Sequence, residues 1–340
     1  MNGGSVMTDI VNYNNDFDNI IAIIEKSKIR AIRAVNREMI DMYWQIGKYL
    51  SDKSESDGWG KNTVQDFADY LKKTYPSASG FSAQNLWRMK QFYETYRDNE
   101  KLSPLVREIS WSNNLLIMTG CKTNESKEFY MRLCIQNGYA KRDLERQIDS
   151  MLYERTMLSQ EKNKELIERH PAVGALRDSY VLEFLDVPED FKEIDVRKAI
   201  IANLKKFILE FGKDFTFVGE EYRVQVGNTD FFIDLLFFNR ALSCLVAVEL
   251  KVGKFKPEHL GQLNFYLEAL NRDVKKPEEN PSVGLILCTY KDDAVVEYAL
   301  SSSLSPAMVA DYTLKLPDKK LLKDKLREIA MLADTSKDTD

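Results

Sequence analysis

Histidine is nearly absent from this chain, which holds only His170 and His259. A zinc site built from Cys and His is therefore short of donors, and any bound metal is expected to take oxygen ligands. Cysteine is as scarce. Cys121, Cys134, Cys244 and Cys288 lie scattered in apolar stretches with no C-x-x-C pair, and read as buried reduced thiols of a reducing compartment. No apolar run approaches the roughly 18 residues of a membrane span. Met1 to Asp18 is polar and acidic, unlike a signal peptide, so a cytoplasmic protein with no membrane partner is expected. There is no basic excess either: 48 Lys and Arg against 53 Asp and Glu leave a formal charge of -5. That excludes a surface coated in positive charge, but not a local Lys and Arg cluster able to meet phosphate. Internal repeats and extended low-complexity tracts are also missing.

What is present suits two globular domains: 340 residues, 44% hydrophobic and 30% charged. In the first half, Ile20, Ile24, Ala31, Val35, Met39, Tyr43, Ile46 and Leu50 recur at helical spacing, which predicts an amphipathic helix from about Asp18 to Leu50. Ser51 to Gly60 then breaks it. Within this break Gly58-Trp59-Gly60-Lys61 lacks P-loop spacing and a preceding strand, so it is read as a turn. Helices follow from Thr63 to Tyr75 and from Ser82, an N-cap, to Tyr96. This pair is compatible with a helix-turn-helix whose second helix would turn Gln84, Asn85 and Arg88 toward nucleic acid, although helical hairpins mostly just pack. Asn124 to Asn137, closed by Gly138, and Lys141 to Arg155 complete an all-helical half.

Beyond a charged connector the pattern changes. A helix from Phe191 to Phe211 precedes three strand-like runs, Phe215 to Val226, Phe231 to Phe238 and Leu245 to Lys251, joined by short turns as an antiparallel meander. Then come a helix (Pro257 to Asn271), a buried strand (Val283 to Tyr290), a helix (Asp292 to Ser302), a strand (Met308 to Leu314) and a closing helix (Asp318 to Leu332). The order contains αβββαβ, with one crossover helix between parallel strands.

Asp234 is the one carboxylate in an apolar strand, and a buried charge without a partner costs several kcal/mol. Val246-Ala247-Val248-Glu249-Leu250-Lys251 has the same character. Side-chain alternation puts Glu249 and Lys251 on one face, and a short turn can bring Asp234 to it. Two carboxylates and an ammonium make a site for a hard cation such as Mg²⁺. The bland alternative is a structural ion pair. The E-x-K triplet alone would favour that alternative, whereas its agreement with the element order favours a site.

Asp234 followed by Glu249-Leu250-Lys251 resembles the D...ExK signature of the PD-(D/E)XK nuclease superfamily, although Ile233 replaces the proline before the aspartate. Gln262-Leu263-Asn264-Phe265-Tyr266 is similar to the Q-x-x-x-Y element of its RecB-like and phage-exonuclease-like branches. The run Phe207 to Asn271 resembles the YhcG-like family closely. That family's helical or winged-helix companion domain is matched by Phe81-Ser82, Asn85-Leu86, Arg88-Met89 and Phe92-Tyr93, then by Trp111-Ser112, Arg146-Gln147-Ile148-Asp149-Ser150 and Tyr153-Glu154-Arg155. The resemblance implies an all-helical N-terminal domain, with a restriction-endonuclease-like αβββαβ C-terminal domain that hydrolyses phosphodiesters. It implies that Asp234, Glu249 and the Leu250 carbonyl hold Mg²⁺, for which Mn²⁺ can substitute, with Glu210 contributing and Lys251 near the water. Gln262 and Tyr266 lie four apart on one helix face and would join the catalytic set.

Lys254 and Lys256 could add attraction for the nucleic-acid backbone or remain a solvated loop. His259 is read as surface or structural. The expected domains are a flexible 1–16, a helical DNA-binding or interaction domain 17–158, a connector 159–175, a nuclease domain 176–333 and a flexible tail 334–340. The expected partners are nucleic acid, DNA favoured over RNA, together with a possible second copy or a restriction or repair complex. The competing expectation is a catalytically silent binding or assembly subunit of such a complex.

Overall fold

The computed structural model describes residues 6–335 apart from 78, 302 and 304, and side chains are described from Phe17 to Glu328. The expected loose ends therefore fall partly outside the described residues. The chain divides into two compact units, 1–145 and 146–340.

The first unit is helical, with α1 (Val6–Ser56), α2 (Lys61–Thr74), α3 (Ala83–Tyr96), α4 (Trp111–Gly120), α5 (Asn124–Asn137) and the start of α6 (Lys141–Asp149). The break expected at Ser51 does not occur, and α1 runs on to Ser56. Ser51 is fully buried and donates to Glu94 at 3.0 Å, while Ser54 bonds back to the Leu50 carbonyl. Local serine propensity loses to these contacts. Ile40, Tyr43, Leu50, Leu86, Met89 and Phe92 form buried parts of this unit. Gly47 lets α1 approach α3 closely, since a Cβ there would stand 2.2 Å from the Met89 carbonyl oxygen. Ser82, Ser110 and Thr123 cap α3, α4 and α5, and Gly138 closes α5 at φ 63°. Helix α4 is absent from the sequence expectation because its apolar residues, Trp111, Leu115, Leu116, Ile117 and Met118, leave no clear polar face.

The second unit holds α7 (Leu152–Lys162), α8 (Lys164–Arg169), β1 (Ser179–Val181), α9 (Glu193–Ala202), α10 (Leu204–Phe211), β2 (Phe215–Val226), β3 (Thr229–Asn239), β4 (Cys244–Lys254), α11 (Pro257–Ala269), β5 (Asn280–Tyr290), α12 (Asp293–Ser301), β6 (Ala307–Thr313) and α13 (Lys319–Thr335). One six-stranded sheet runs β1-β6-β5-β4-β3-β2. Strands β2, β3 and β4 form the expected antiparallel meander, and β4, β5, β6 and β1 are parallel. Its core includes Phe207, Phe211, Ile233, Phe237, Val248 and Leu285.

Three expectations are corrected. The connector expected at 159–175, helical or loose, is helical in α7 and α8 and is no separate linker, because Leu166 and Val173 are buried in the sheet domain's core. The helix expected from Lys141 to Arg155 is divided at Met151, which takes a left-handed φ of 57°. That from Phe191 to Phe211 is divided at Asn203 into α9 and α10.

Candidate active site

The β3–β4 ladder runs from Asn239–Cys244 to Leu235–Val248 and stops. Beyond it β3 stays with β2 and β4 with β5, so a wedge opens between the two strands. Backbone groups there lose their ladder partners, and a buried polar group without one is costly. Carboxylates replace them: Leu250 N–H donates to Asp234 Oδ2 at 2.9 Å, and Asp234 N–H to Glu249 Oε1 at 3.4 Å.

Lys251, two residues on from Glu249, brings its Nζ to 3.5 Å from Glu249 Oε2. Glu249 is only 2% exposed. Burial, and then the charge of Asp234, push its carboxyl up to about 8, against the opposing pull of Lys251.

Further groups converge from α9 and β2. Glu193 Oε1 accepts from Val252 N–H at 3.3 Å, and its Oε2 lies 3.9 Å from Lys251 Nζ. One turn on, Arg197 donates to Asp234 Oδ1 at 3.1 Å and reaches Glu221 Oε1 at 2.8 Å. Glu221 stands opposite Asp234 in the β2–β3 register, at a left-handed φ of 44°. For a residue with a Cβ that conformation costs on the order of 1–2 kcal/mol, and such strain clusters at functional sites.

From α11, Gln262 Nε2 donates to the Tyr266 hydroxyl at 2.9 Å. Burial raises the Tyr266 phenol, and the charges of Glu249 and Asp234 raise it further, which sets it within electrostatic reach of both carboxylates. His259 caps α11, its Nδ1 accepting from Lys256 N–H at 3.2 Å.

Two family models match the chain, the YhcG PDDEXK nuclease domain over residues 173–327 and the DUF1016 N-terminal domain over 19–155. A protein of Escherichia coli (strain K12) described as "Putative nuclease YhcG" is 32% identical over 352 residues, spanning 92% of this chain and 93% of that one. The chain belongs to the YhcG nuclease family. Its C-terminal unit is thus a PD-(D/E)XK nuclease domain, of a class that typically uses divalent metal ions. A repair endonuclease from Pyrococcus abyssi, of known crystal structure, is 14% identical with a TM-score of 0.26, over 38% of this chain and half of that one. No helix among the described residues is long and apolar enough to cross a membrane.

The wedge unites Asp234, Glu249 and Lys251, but not Glu210. Glu210 is fully buried elsewhere, accepting from Arg155 at 2.8 Å, Arg146 at 3.1 Å and Val181 N–H at 3.0 Å, with Arg177 at 3.7 Å. Those cations hold its carboxyl below the ordinary range despite burial. Its expected role as a metal ligand is corrected to that of a caged structural anion. Among the described residues no three acidic, imidazole or thiol groups gather as a ready-made metal cage. The wedge still fits a hard cation, because its donors are oxygens and its carboxylates, Asp234, Glu249, Glu193 and Glu221, outnumber its cations, Lys251 and Arg197.

Lys254 and Lys256 are exposed and lie 3.6 Å from Asp292 and 3.4 Å from Glu258. In the first unit Gln84 and Arg88 are exposed. Asn85 is instead a structural bracket, since its amide donates to Gly80 and accepts from Trp111 Nε1. Glu193 and Arg197 went unnoticed in the sequence. Their signal is a Glu and an Arg four apart, hence on one face of α9.

The Glu249 shift has a measurable consequence. Between about pH 4.5 and 8 the folded protein keeps a proton that the unfolded chain releases, so stability falls as pH rises through that interval. Thermal unfolding in chelator should show this slope in the parent and lose it in Glu249→Gln. Identical slopes would refute the assignment.

Proposed function

We propose that this protein cuts DNA, in preference to RNA, with Mg²⁺ or Mn²⁺ as cofactor, in DNA processing, restriction or mobile-element defence. The meeting of Asp234, Glu249 and Lys251 in one strand wedge carries the reading. Asp234, Glu249 and the Leu250 carbonyl would hold the cation. When bound, it supplies Lewis-acid activation of water and positive charge for the phosphate. Lys251 directs its ammonium at the charge that develops on the attacked phosphate. Gln262 orients the Tyr266 hydroxyl, which contacts the phosphate or the attacking water. Lys254 and Lys256 attract the nucleic-acid backbone, and Gln84 and Arg88 are the first unit's own candidate nucleic-acid contacts.

Arg197 positions Asp234 through the hydrogen bond to Oδ1. Arg197→Ala is expected to weaken divalent-ion binding by about 10- to 100-fold with little change in thermal stability. Calorimetric titration with Mn²⁺ reads the first quantity, and unchanged affinity would remove Arg197 from this role.

The function itself is tested with linear, circular, single-stranded and branched DNA and with RNA, each with Mg²⁺, Mn²⁺ or chelator. Cleavage of DNA is expected with either ion and none with chelator, with a loss of about 10²-fold or more in Lys251→Ala. Tight binding without cutting would establish the silent subunit instead, and cutting of RNA alone would overturn the substrate assignment.

A further inference from the structure

The N-terminal part of α1 presents an apolar stripe to solvent. Residues 17–35 are exposed throughout. Ile20, Ile21, Ile24, Ile32 and Val35 are exposed at 54%, 56%, 46%, 70% and 70%. At 3.6 residues per turn these five fall on one side of the helix, together with Phe17, Lys28 and Ala31. Residues 20–35 are exposed on every side among the described residues, and a helical segment of this kind is marginal in water, because propensity alone rarely offsets the entropy of ordering. Contiguous apolar surface of this extent marks an interaction site.

The spacing says what covers it. Reversing the chain about residue 26 maps the stripe onto itself: 17 onto 35, 20 and 21 onto 32 and 31, and 24 onto 28. An antiparallel pair related by a two-fold axis demands this self-complementarity. Charge agrees. Lys26, Lys28, Arg30, Arg33 and Arg37 follow Asp18 and Glu25, so the segment 17–37 is acidic and then basic, before Glu38 and Asp41. A parallel pair would set basic segment beside basic segment, whereas an antiparallel pair sets each beside the other copy's acidic one. Lys28 fits within the stripe, its stem lying along apolar surface while its ammonium reaches Glu25 at 3.0 Å. The stripe offers on the order of 600 Å² per copy. A pair would bury roughly 1,200 Å², the lower bound of specific interfaces.

We propose that two copies of this chain associate through residues 17–35 of α1, antiparallel and centred near residue 26. The interface lies in the first unit, on residues the nuclease reading does not use, and stands whatever that site cleaves.

The test uses the full chain. Sedimentation should find a dimer at micromolar concentration, with Ile24→Asp plus Ile32→Asp raising the dissociation midpoint at least tenfold. Orientation is read by a short thiol cross-linker, since the four native cysteines are buried. A mixture of Ile20→Cys and Ile32→Cys proteins should cross-link between the two variants. Neither variant alone should do so, because like positions would stand about 18 Å apart along the axis. Cross-linking needs no loss of fold, so it remains decisive if the charged variant misfolds. A monomer at 50 µM (a chosen test level, about 10² above a sub-micromolar Kd), self-cross-linking of Ile20→Cys, or a dimer undiminished in the charged variant would each overturn the proposal. So would a monomer in buffer that floats only with phosphatidylglycerol vesicles, since that would make the stripe a membrane-seeking face.

Discussion

Glu249→Gln should abolish nuclease activity and at the same time make the folded protein more stable. The glutamine keeps the shape of the side chain but not the charge that burial and Asp234 oppose. Near neutral pH the fold must keep a proton on this carboxyl that the unfolded chain releases, so a permanently neutral glutamine is worth on the order of 1–2 kcal/mol of stability. Cleavage should fall by about 10³-fold or more if Glu249 helps hold the ion that activates the water. Chemical denaturation in chelator and a plasmid-nicking assay measure the two effects. A structural ion pair predicts the opposite pairing, a less stable protein that still cuts, and that outcome would sink the site. The combination is informative because active sites commonly trade stability for chemistry.

Glu210→Ala should produce the largest loss of stability in the second unit, about 3–5 kcal/mol, since it leaves guanidinium groups of Arg146, Arg155 and Arg177 buried around a missing anion. The loss should be greatest above the ordinary carboxylate range. Because the folded pKa is depressed, the parent's contribution from Glu210 is present above the unfolded value and disappears as pH falls through the folded one. Were Glu210 a metal ligand instead, the variant would fold normally and lose only ion affinity. Urea unfolding monitored on the full chain, with Mn²⁺ titration alongside, separates the two.

The site was legible to the extent that its determinants are local. A lone carboxylate in an apolar strand, and an E-x-K triplet whose alternation fixes a shared face, identify Asp234, Glu249 and Lys251 without coordinates. Gln262 and Tyr266 are marked by the resemblance to the Q-x-x-x-Y element, their spacing of four adding only that they share one face of α11. Glu210 failed for a physical reason. A buried acid is decided by whichever cations reach it, and Arg155 and Arg177 come from 55 and 33 residues away in the chain. Glu221 and its bridge to Arg197 stayed hidden on the same ground, because a guanidinium contact between a helix and a β-strand has no fixed spacing along the chain.

Sequence by itself determined the type of the elements with a clear period, the antiparallel meander and the pairing of acid with lysine, because helix and strand periodicities and side-chain alternation are properties of neighbours. Tertiary structure alone decided where α1 would stop, that 159–175 joins a core, which acid is caged by arginines and which faces the wedge. Burial and long-range charge set those outcomes, and both depend on residues brought together only when the sheet and its helices close.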